Sequence, residues 1–154
     1  INIATFLRKE MRKKMPANEL KCVMVVDEAM PQGIIANSTA VMGVTIGKLF
    51  PEVVGQDVVD QTGYRHQGII EFPIPILKGN RDFLRDMRER LYEPNFEQLT
   101  VVDFFDVAQG CKTYSEYIEK MTHVPESAID YFGLTLFGNK KQVNKLTGSL
   151  PLLR

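Results

Sequence analysis

The sequence is poor in the residue types that mark several classes of protein. Its 154 residues contain no tryptophan, two histidines and two cysteines. The cysteines, Cys22 and Cys111, lie far apart in the chain, whereas zinc sites and redox motifs need closely spaced cysteines. We therefore predict neither a disulfide scaffold nor a structural zinc site, and the scarcity of cysteine indicates a reducing compartment.

An excess of charge of either sign is also missing. Lysine plus arginine and aspartate plus glutamate number 19 each, which gives a formal net charge of zero. Proteins that bind nucleic acids usually carry a basic excess or a basic face. The locally basic stretch is "LRKEMRKK" (residues 7–14), which we interpret as the solvated face of a helix. Nucleic acid is therefore not the expected partner.

Long apolar runs are absent as well. No run approaches the ~20 apolar residues that span a bilayer, and residues 1–20 lack the apolar core of a signal peptide. With 44% hydrophobic and 25% charged residues, the composition is that of a globular domain with a full core. We expect a cytoplasmic protein without a membrane-spanning segment.

Apolar runs alternate with helical patterns along the chain. "KCVMVV" (residues 21–26) is apolar without alternation, which is typical of a strand buried on both faces. The predicted strands fall within 21–26, 64–79, 99–105 and 132–138. Two predicted helices span residues 34–50 and 81–92, and Asn80 is the predicted cap of the second. A third predicted helix begins at the capping pattern "TYSE" (residues 113–116), and a fourth follows Asn139. This order predicts an α/β domain over residues 21–154 with a largely parallel or mixed sheet. A helical extension over residues 1–20 precedes it, with the apolar residues Ile3, Phe6, Leu7 and Met11 on one side of the predicted helix.

Two features predict how these elements pack. Ala36, Ala40, Gly43 and Gly47 share one stripe of the first helix, and each glycine costs a helix roughly 1 kcal/mol relative to alanine. The stripe therefore predicts a close approach to a neighbouring element. Prolines 73 and 75 remove two alternate hydrogen-bond donors, which predicts that their strand lies at a sheet edge or across a bulge.

Polar residues follow the first strand, where α/β proteins often carry a binding site. Residues 31–37 could bind an anion through free backbone N–H groups at the start of the helix, although the lysine of a phosphate-binding Walker loop is missing. In the alternative interpretation, Asn37 and Ser38 bond only the backbone of the first turn. Both interpretations remain open at this point.

Carboxylates end two of the predicted strands. Asp27 and Asp106 would lie at the same sheet edge if their strands run parallel, with the amide of Gln109 beside the second carboxylate. Paired carboxylates can act in acid–base catalysis or hold a cation, but a turn or a cap is the commoner role of either one alone. Cys111 would be a nucleophile only beside His66 or His123, and no spacing requires that arrangement. We predict no metal site and no cofactor.

Two segments carry a resemblance to a known family. "MPQGIIANSTAVMG" after the first strand and "QVNKLTGSLPLLR" at the end resemble segments of type II peptidyl-tRNA hydrolases. A bacterial family of unknown function, numbered two thousand, is more similar still, through "VVDEAMPQGIIAN", "VVDFFDVAQ" and "GNKKQVNKLTGSLPLL". The resemblance covers residues 21–154. It implies a three-layer α/β/α sandwich around a mixed four-stranded sheet, and a homodimer.

The resemblance also implies a site. Gln32 and Ile34 stand where the hydrolases carry lysines, Asn37 and Ser38 fall near the family's glutamine, and Asp106 matches a functional aspartate. The predicted catalytic residues are Asp106, Asn37 and Gln32. The predicted ligand-binding residues are Gly33, Ser38, Asp27, Gln109 and Thr113.

Two functions fit these residues. The first is a protein that binds a small molecule, and the second is a hydrolase of an ester or amide with a changed active site. The alternative is a true peptidyl-tRNA hydrolase or a tRNA-binding protein, although the missing lysines and the neutral net charge argue against it.

Overall fold

A computed structural model of the protein describes Ile3, Phe6, Glu10 and residues 15–154. Its strands in that part of the chain are β1 Leu20–Asp27, β2 Val58–Val59, β3 Arg65–His66, β4 Ile76–Gly79, β5 Thr100–Phe105 and β6 Tyr131–Asn139. The helices in residues 15–154 are α1 Gln32–Leu49, α2 Arg81–Arg90, α3 Asp106–Gln109, α4 Tyr114–Met121 and α5 Lys140–Thr147. Short 3₁₀ turns connect several of them.

Four strands form one mixed sheet in the order β4-β1-β6-β5. Strand β1 runs parallel to β4 and antiparallel to β6, and β6 runs antiparallel to β5. Strands β1, β4 and β5 therefore share one direction, and their carboxyl ends lie at the same end of the sheet. The predicted α/β class with a mixed four-stranded sheet is confirmed. Strands β2 and β3 form a separate antiparallel hairpin, which the sequence analysis missed.

Helices cover both faces of the sheet. Strand β1 is buried from Cys22 onward, as its unbroken apolar run predicted. Val23 packs with Leu84 of α2 and Val143 of α5, whereas Cys22 packs on the opposite face with Ile46 of α1. Successive strand residues point to opposite faces, so one apolar run serves two core regions.

Helix α1 turns a different side to the sheet from the one predicted. Its buried residues are Ser38, Met42 and Ile46, whereas Ala36 and Ala40, in the predicted stripe, are exposed. A Cβ atom added at Gly43 would lie an ordinary 3.8 Å from the Met24 methyl, and one added at Gly47 would meet nothing within 4 Å. The prediction of a close approach along the small-residue stripe is therefore wrong.

The hydrogen bonds at the starts of three helices confirm the predicted capping residues. The Asn80 side chain accepts a hydrogen bond from the Phe83 backbone at 2.8 Å, and the Thr113 hydroxyl accepts one from the Glu116 backbone at 3.2 Å. Asn139 accepts bonds from two backbone N–H groups at the start of α5. Caps depend on residues two or three positions apart, so the sequence alone predicts them well.

The C-terminal segment closes the β4 edge of the sheet. Strand β4 is an edge strand of the sheet, as the two prolines predicted. The backbone N–H of Lys78 donates to the Pro151 carbonyl at 2.8 Å, and the N–H of Leu153 donates to the Ile76 carbonyl at 2.8 Å. An isolated bridge between Leu77 and Leu152 joins the same two segments. The end of the chain therefore acts as a short added strand.

The predicted N-terminal helix lies mostly outside the described residues. Ile3 and Phe6, two of its four predicted apolar residues, are exposed, and the other two, Leu7 and Met11, are outside the described part. Within the described residues, none of the helices combines the length and the apolar character needed to cross a bilayer.

Candidate functional site

A groove lies along the outer edge of β5, between α1 and the α3–α4 segment. It encloses about 360 Å³, which is within the usual size of small-ligand sites. Asp103 and Phe104 of β5 form its floor, and Val41 and Thr45 of α1 form one wall. The opposite wall consists of Ala108, Cys111, Lys112, Thr113, Tyr114 and Tyr117.

A pair of amides bridges the two walls. The Asn37 side-chain nitrogen donates to the Gln109 side-chain oxygen at 3.2 Å. Asn37 lies one helical turn before Val41 on α1, and Gln109 follows Ala108 on α3, so the bridge stands at one end of the groove. Two residues predicted for the site from separate segments are therefore brought into direct contact.

A local hydrogen-bond network positions the wall that contains α4. The Glu116 carboxylate accepts from the Lys112 backbone at 3.0 Å and pairs with the Lys120 ammonium at 2.9 Å. The hydrogen bond from Lys120 and the bond from the Lys112 backbone lower the pKa of Glu116. Thr113, a predicted ligand-binding residue, lines the groove. Its hydroxyl oxygen already accepts the hydrogen bond that caps α4.

The acidic residue in the floor of the groove forms an ion pair with an arginine. Asp103 accepts a hydrogen bond from the Arg88 guanidinium at 2.8 Å, and the Arg88 side chain is only 14% exposed. Burial, followed by the nearby Asp103 charge, raises the pKa of the Tyr117 phenol. Tyr117 therefore remains protonated at neutral pH and can act as a hydrogen-bond donor.

The two cysteines have different environments. Burial raises the pKa of the Cys22 thiol to about 12, so Cys22 is an inert core residue. The Cys111 thiol lies in the groove wall and donates to the Val107 carbonyl at 3.1 Å. In residues 15–154 no hydrogen bond joins Cys111 to a histidine, and His66 lies 3.0 Å from Asp60 in the β2–β3 hairpin. The nucleophile hypothesis gains no support from these contacts.

Asp27 and Asp106 leave the sheet at the same end, as predicted for parallel strands. Strand β6 lies between their strands, so the strand ends are separated by about 10 Å, or two strand spacings. Asp27 accepts from the Ala29 backbone at 3.0 Å, and Asp106 accepts from the Asp130 backbone at 3.1 Å. The Asp27 carboxylate therefore stabilises a local turn, whereas the Asp106 carboxylate ties the end of β5 to the backbone just before β6. Within residues 15–154, histidine, cysteine, aspartate and glutamate side chains form no cluster of three or more that could hold a metal ion.

The remaining predicted residues lie in the first turns of α1. Gln32 and Gly33 are its first two residues and are exposed. Ser38 is buried, and its hydroxyl donates to the Ile34 carbonyl at 2.6 Å. Ser38 therefore matches the alternative interpretation, in which it bonds only the helix backbone.

Sequence reasoning missed most of the groove. Val41, Thr45, Tyr114 and Tyr117 were assigned to helices without a role in a site. The capping pattern before α4 placed both tyrosines on one helix, but no signal in the sequence shows that this helix faces α1. The contact that links α1 to the opposite wall joins Asn37 to Gln109 of α3, 72 positions away in the chain, which is beyond the range of local sequence patterns.

The comparisons with known proteins identify the family. The family described as "Protein of unknown function (DUF2000)" matches residues 20–154, and the chain belongs to this family. A solved structure of a protein of unknown function from Agrobacterium tumefaciens strain C58 is similar, with a TM-score of 0.79 and 18% identity over 88% of this chain and 98% of that chain. At this identity the likeness concerns the fold alone. No curated protein matches the sequence.

Proposed function

We propose that this protein binds a small ligand in the groove between α1 and the α3–α4 segment. The observation that carries the proposal is the groove itself, a concave space of about 360 Å³ lined by a mixture of apolar, aromatic and polar side chains. Apolar surface combined with a few hydrogen-bonding groups is typical of ligand sites. The protonated Tyr117 phenol and the Thr45 hydroxyl are its candidate polar contacts.

The contacts of the polar residues favour binding over hydrolysis. Asn37 and Gln109 are bonded to each other, and the Asp106 carboxylate is bonded to the Asp130 backbone. A general base must reach the proton that it removes from the substrate. These side chains instead form hydrogen bonds within the protein. Asp106, Asn37 and Gln32 remain a hypothetical catalytic set for an ester or amide hydrolase, which is the second candidate function.

We further propose that the fold is a three-layer relative of the type II peptidyl-tRNA hydrolases. The mixed four-stranded sheet with helices on both faces supports this kinship. The proposal includes a cytoplasmic homodimer and two parts of the chain, a helical extension over residues 1–20 and one α/β domain over residues 21–154. Solution scattering of the full chain and of residues 21–154 would test whether the protein is a dimer and whether residues 21–154 fold without the extension.

The ligand proposal is tested by filling the groove. A metabolite library is screened by thermal shift, and each hit is measured by calorimetry with the natural protein and with Val41→Trp, whose side chain would occupy the groove. Val41 is 40% exposed, so the larger side chain does not disrupt the core. We expect hits to lose at least about tenfold in affinity.

Val44→Trp is the matched control. Val44 lies one turn from Val41 on the same helix, is 75% exposed and does not line the groove, so it should leave each affinity within about twofold. Equal losses in the two variants, or none in either, would place the ligand elsewhere. Turnover of a bound ester or amide that is lost in Asp106→Asn would favour the hydrolase instead.

A further inference from the structure

The floor of the groove is an unpaired strand edge. Strand β5 ends the sheet opposite β4 and pairs with β6 on its inner side. In the described part of the chain, no backbone hydrogen bond joins the outer side of residues 100–105 to another segment. Asp103 and Phe104 of this strand line the groove, and alternate residues of an antiparallel edge strand leave their N–H and C=O groups unpaired toward the outer side.

The opposite edge shows that this sheet accepts an added extended segment. At β4 the C-terminal segment contributes two backbone hydrogen bonds of 2.8 Å, through Lys78 and Leu153, and places Leu152 opposite Leu77. The two edges of the sheet thus differ, because the C-terminal segment covers β4 whereas no segment in the described part of the chain pairs with the outer side of β5.

The walls of the groove suit the side chains of an extended peptide. A strand directs alternate side chains to opposite sides, and the groove offers Val41 and Thr45 on one side and Tyr114 and Tyr117 on the other. The two tyrosine rings meet edge to face, with centroids 5.5 Å apart. Val41 and Tyr114 are also exposed apolar surface that a ligand would cover.

One lysine that lines the groove has no ion-pair partner among the described residues. Asp103 is paired with Arg88, and Glu116 is paired with Lys120. Among the described residues, the Lys112 ammonium forms no ion pair, although Lys112 lines the groove. The charge that complements this surface is therefore negative, and a peptide carries such a charge in its C-terminal carboxylate.

We propose that the groove binds the C-terminal end of an extended peptide, which adds to β5 as a fifth strand and places its carboxylate near Lys112. This inference rests on the proposed function, since the same groove is the ligand site. The groove is open to solvent between α1 and α4 and has a volume of about 360 Å³. That space suits a few residues of an extended chain better than the edge of a second folded copy. Peptide recognition at a sheet edge combines backbone bonds with side-chain pockets.

The test is an affinity selection with the full chain. A synthetic library of random hexapeptides with free C-terminal carboxylates is incubated with the natural protein or with Val41→Trp, and retained peptides are identified by mass spectrometry after gel filtration. We expect peptides to be retained by the natural protein alone. Retention that is absent, or equal in the two proteins, would overturn the proposal.

Three forms of a retained peptide then test the binding mode. A peptide methylated at alternate backbone nitrogens should bind at least about tenfold more weakly, because it cannot complete the ladder with β5. A C-terminal amide should also lose about tenfold, because the charge-assisted contact is removed. Undiminished binding of either form would contradict the corresponding part of the proposal and overturn it as stated.

Lys112→Gln tests the position of the carboxylate. The variant should bind the free acid about as weakly as the natural protein binds the amide. Lys140→Gln, at an exposed lysine of α5 outside the groove, should leave the affinity unchanged.

Light scattering of the protein without peptide tests whether a second copy of the chain occupies the groove. A stable dimer whose β5 amides are protected from hydrogen exchange would make a second copy the occupant and refute the peptide. Metabolite binding blocked by Val41→Trp without peptide retention would leave the proposed function intact and reject this inference alone.

Discussion

At the scale of single residues, the centre of the sheet contains an unpaired hydroxyl. Thr135 of β6 is fully buried, and its hydroxyl has no hydrogen-bond partner among the described residues. Its cross-strand neighbours are Met24 and Val102, which are apolar. Burying a polar group without a hydrogen bond costs free energy, so this threonine weakens the core that it helps to fill.

Thr135→Val should therefore raise the free energy of unfolding by about 1 kcal/mol, because the substitution removes the unsatisfied hydroxyl. Urea unfolding followed by circular dichroism measures the change. Thr147→Val is the control, since Thr147 is equally buried but its hydroxyl donates to the Val143 carbonyl at 2.7 Å. That variant should lose stability or stay level, and a gain of the same size in both variants would contradict the argument.

At the scale of elements, α1 retains glycine where the structure does not require it. A Cβ atom at Gly47 would meet nothing within 4 Å, whereas one at Gly133 of β6 would lie 2.9 Å from the Met42 methyl and 3.2 Å from the Val25 carbonyl. The two glycines therefore differ in what an added methyl group would contact.

Gly47→Ala should raise the free energy of unfolding by about 1 kcal/mol, the difference in helix propensity between the two residues. Gly133→Ala should lower the free energy of unfolding, because the added methyl group overpacks the core beneath α1. Thermal unfolding of both variants provides the measurement. A destabilised Gly47→Ala variant would restore the close packing that the sequence analysis first predicted.

The C-terminal segment supports the β4 edge. Deleting residues 149–154 should lower the midpoint of urea unfolding and cause aggregation that increases with protein concentration, because an uncovered strand edge can pair with other chains. Light scattering measures the aggregation. Leu152→Ala in the full chain keeps the backbone bonds and should stay monodisperse, and a truncated protein as stable as the natural one would show that the segment is dispensable.

At the scale of the whole molecule, charge argues against a tRNA substrate. The formal net charge is zero, and binding a polyanion normally takes several lysine or arginine contacts to phosphate. Gln32 and Ile34 stand where the resembling hydrolases carry lysines, and the loss of one donor to a transition-state oxyanion typically costs roughly 2.7–4 kcal/mol.

The protein should therefore not release N-acetylated amino acids from acylated tRNA, even at low salt, where charge contacts are strongest. A true type II peptidyl-tRNA hydrolase serves as the positive control, and gel retardation checks for binding without turnover. Turnover within about tenfold of that control, abolished by Asp106→Ala, would establish the hydrolase and refute the small-ligand proposal.

The predictions that the structure confirmed rest on local patterns. The unbroken apolar run of β1 specified burial on both faces, and Asn80 and Thr113 marked helix starts through contacts a few positions away. The orientation of α1 could not be derived in this way, because the helix carries small or apolar residues around much of its circumference. Ser38 is buried while Val44 is exposed, the reverse of what hydrophobicity predicts.

The sequence by itself determined the α/β class, the order of the four sheet strands and the longer helices between them, the capped helix starts and the edge position of the strand after Pro75. Each of these depends on residue preferences within a few positions, which do not require knowledge of the packing. Only the tertiary structure decided that Asn37 meets Gln109, that Asp106 bonds the Asp130 backbone and that β5 keeps an open edge. Those features depend on contacts between distant segments, whose geometry is set by the packing of the whole core.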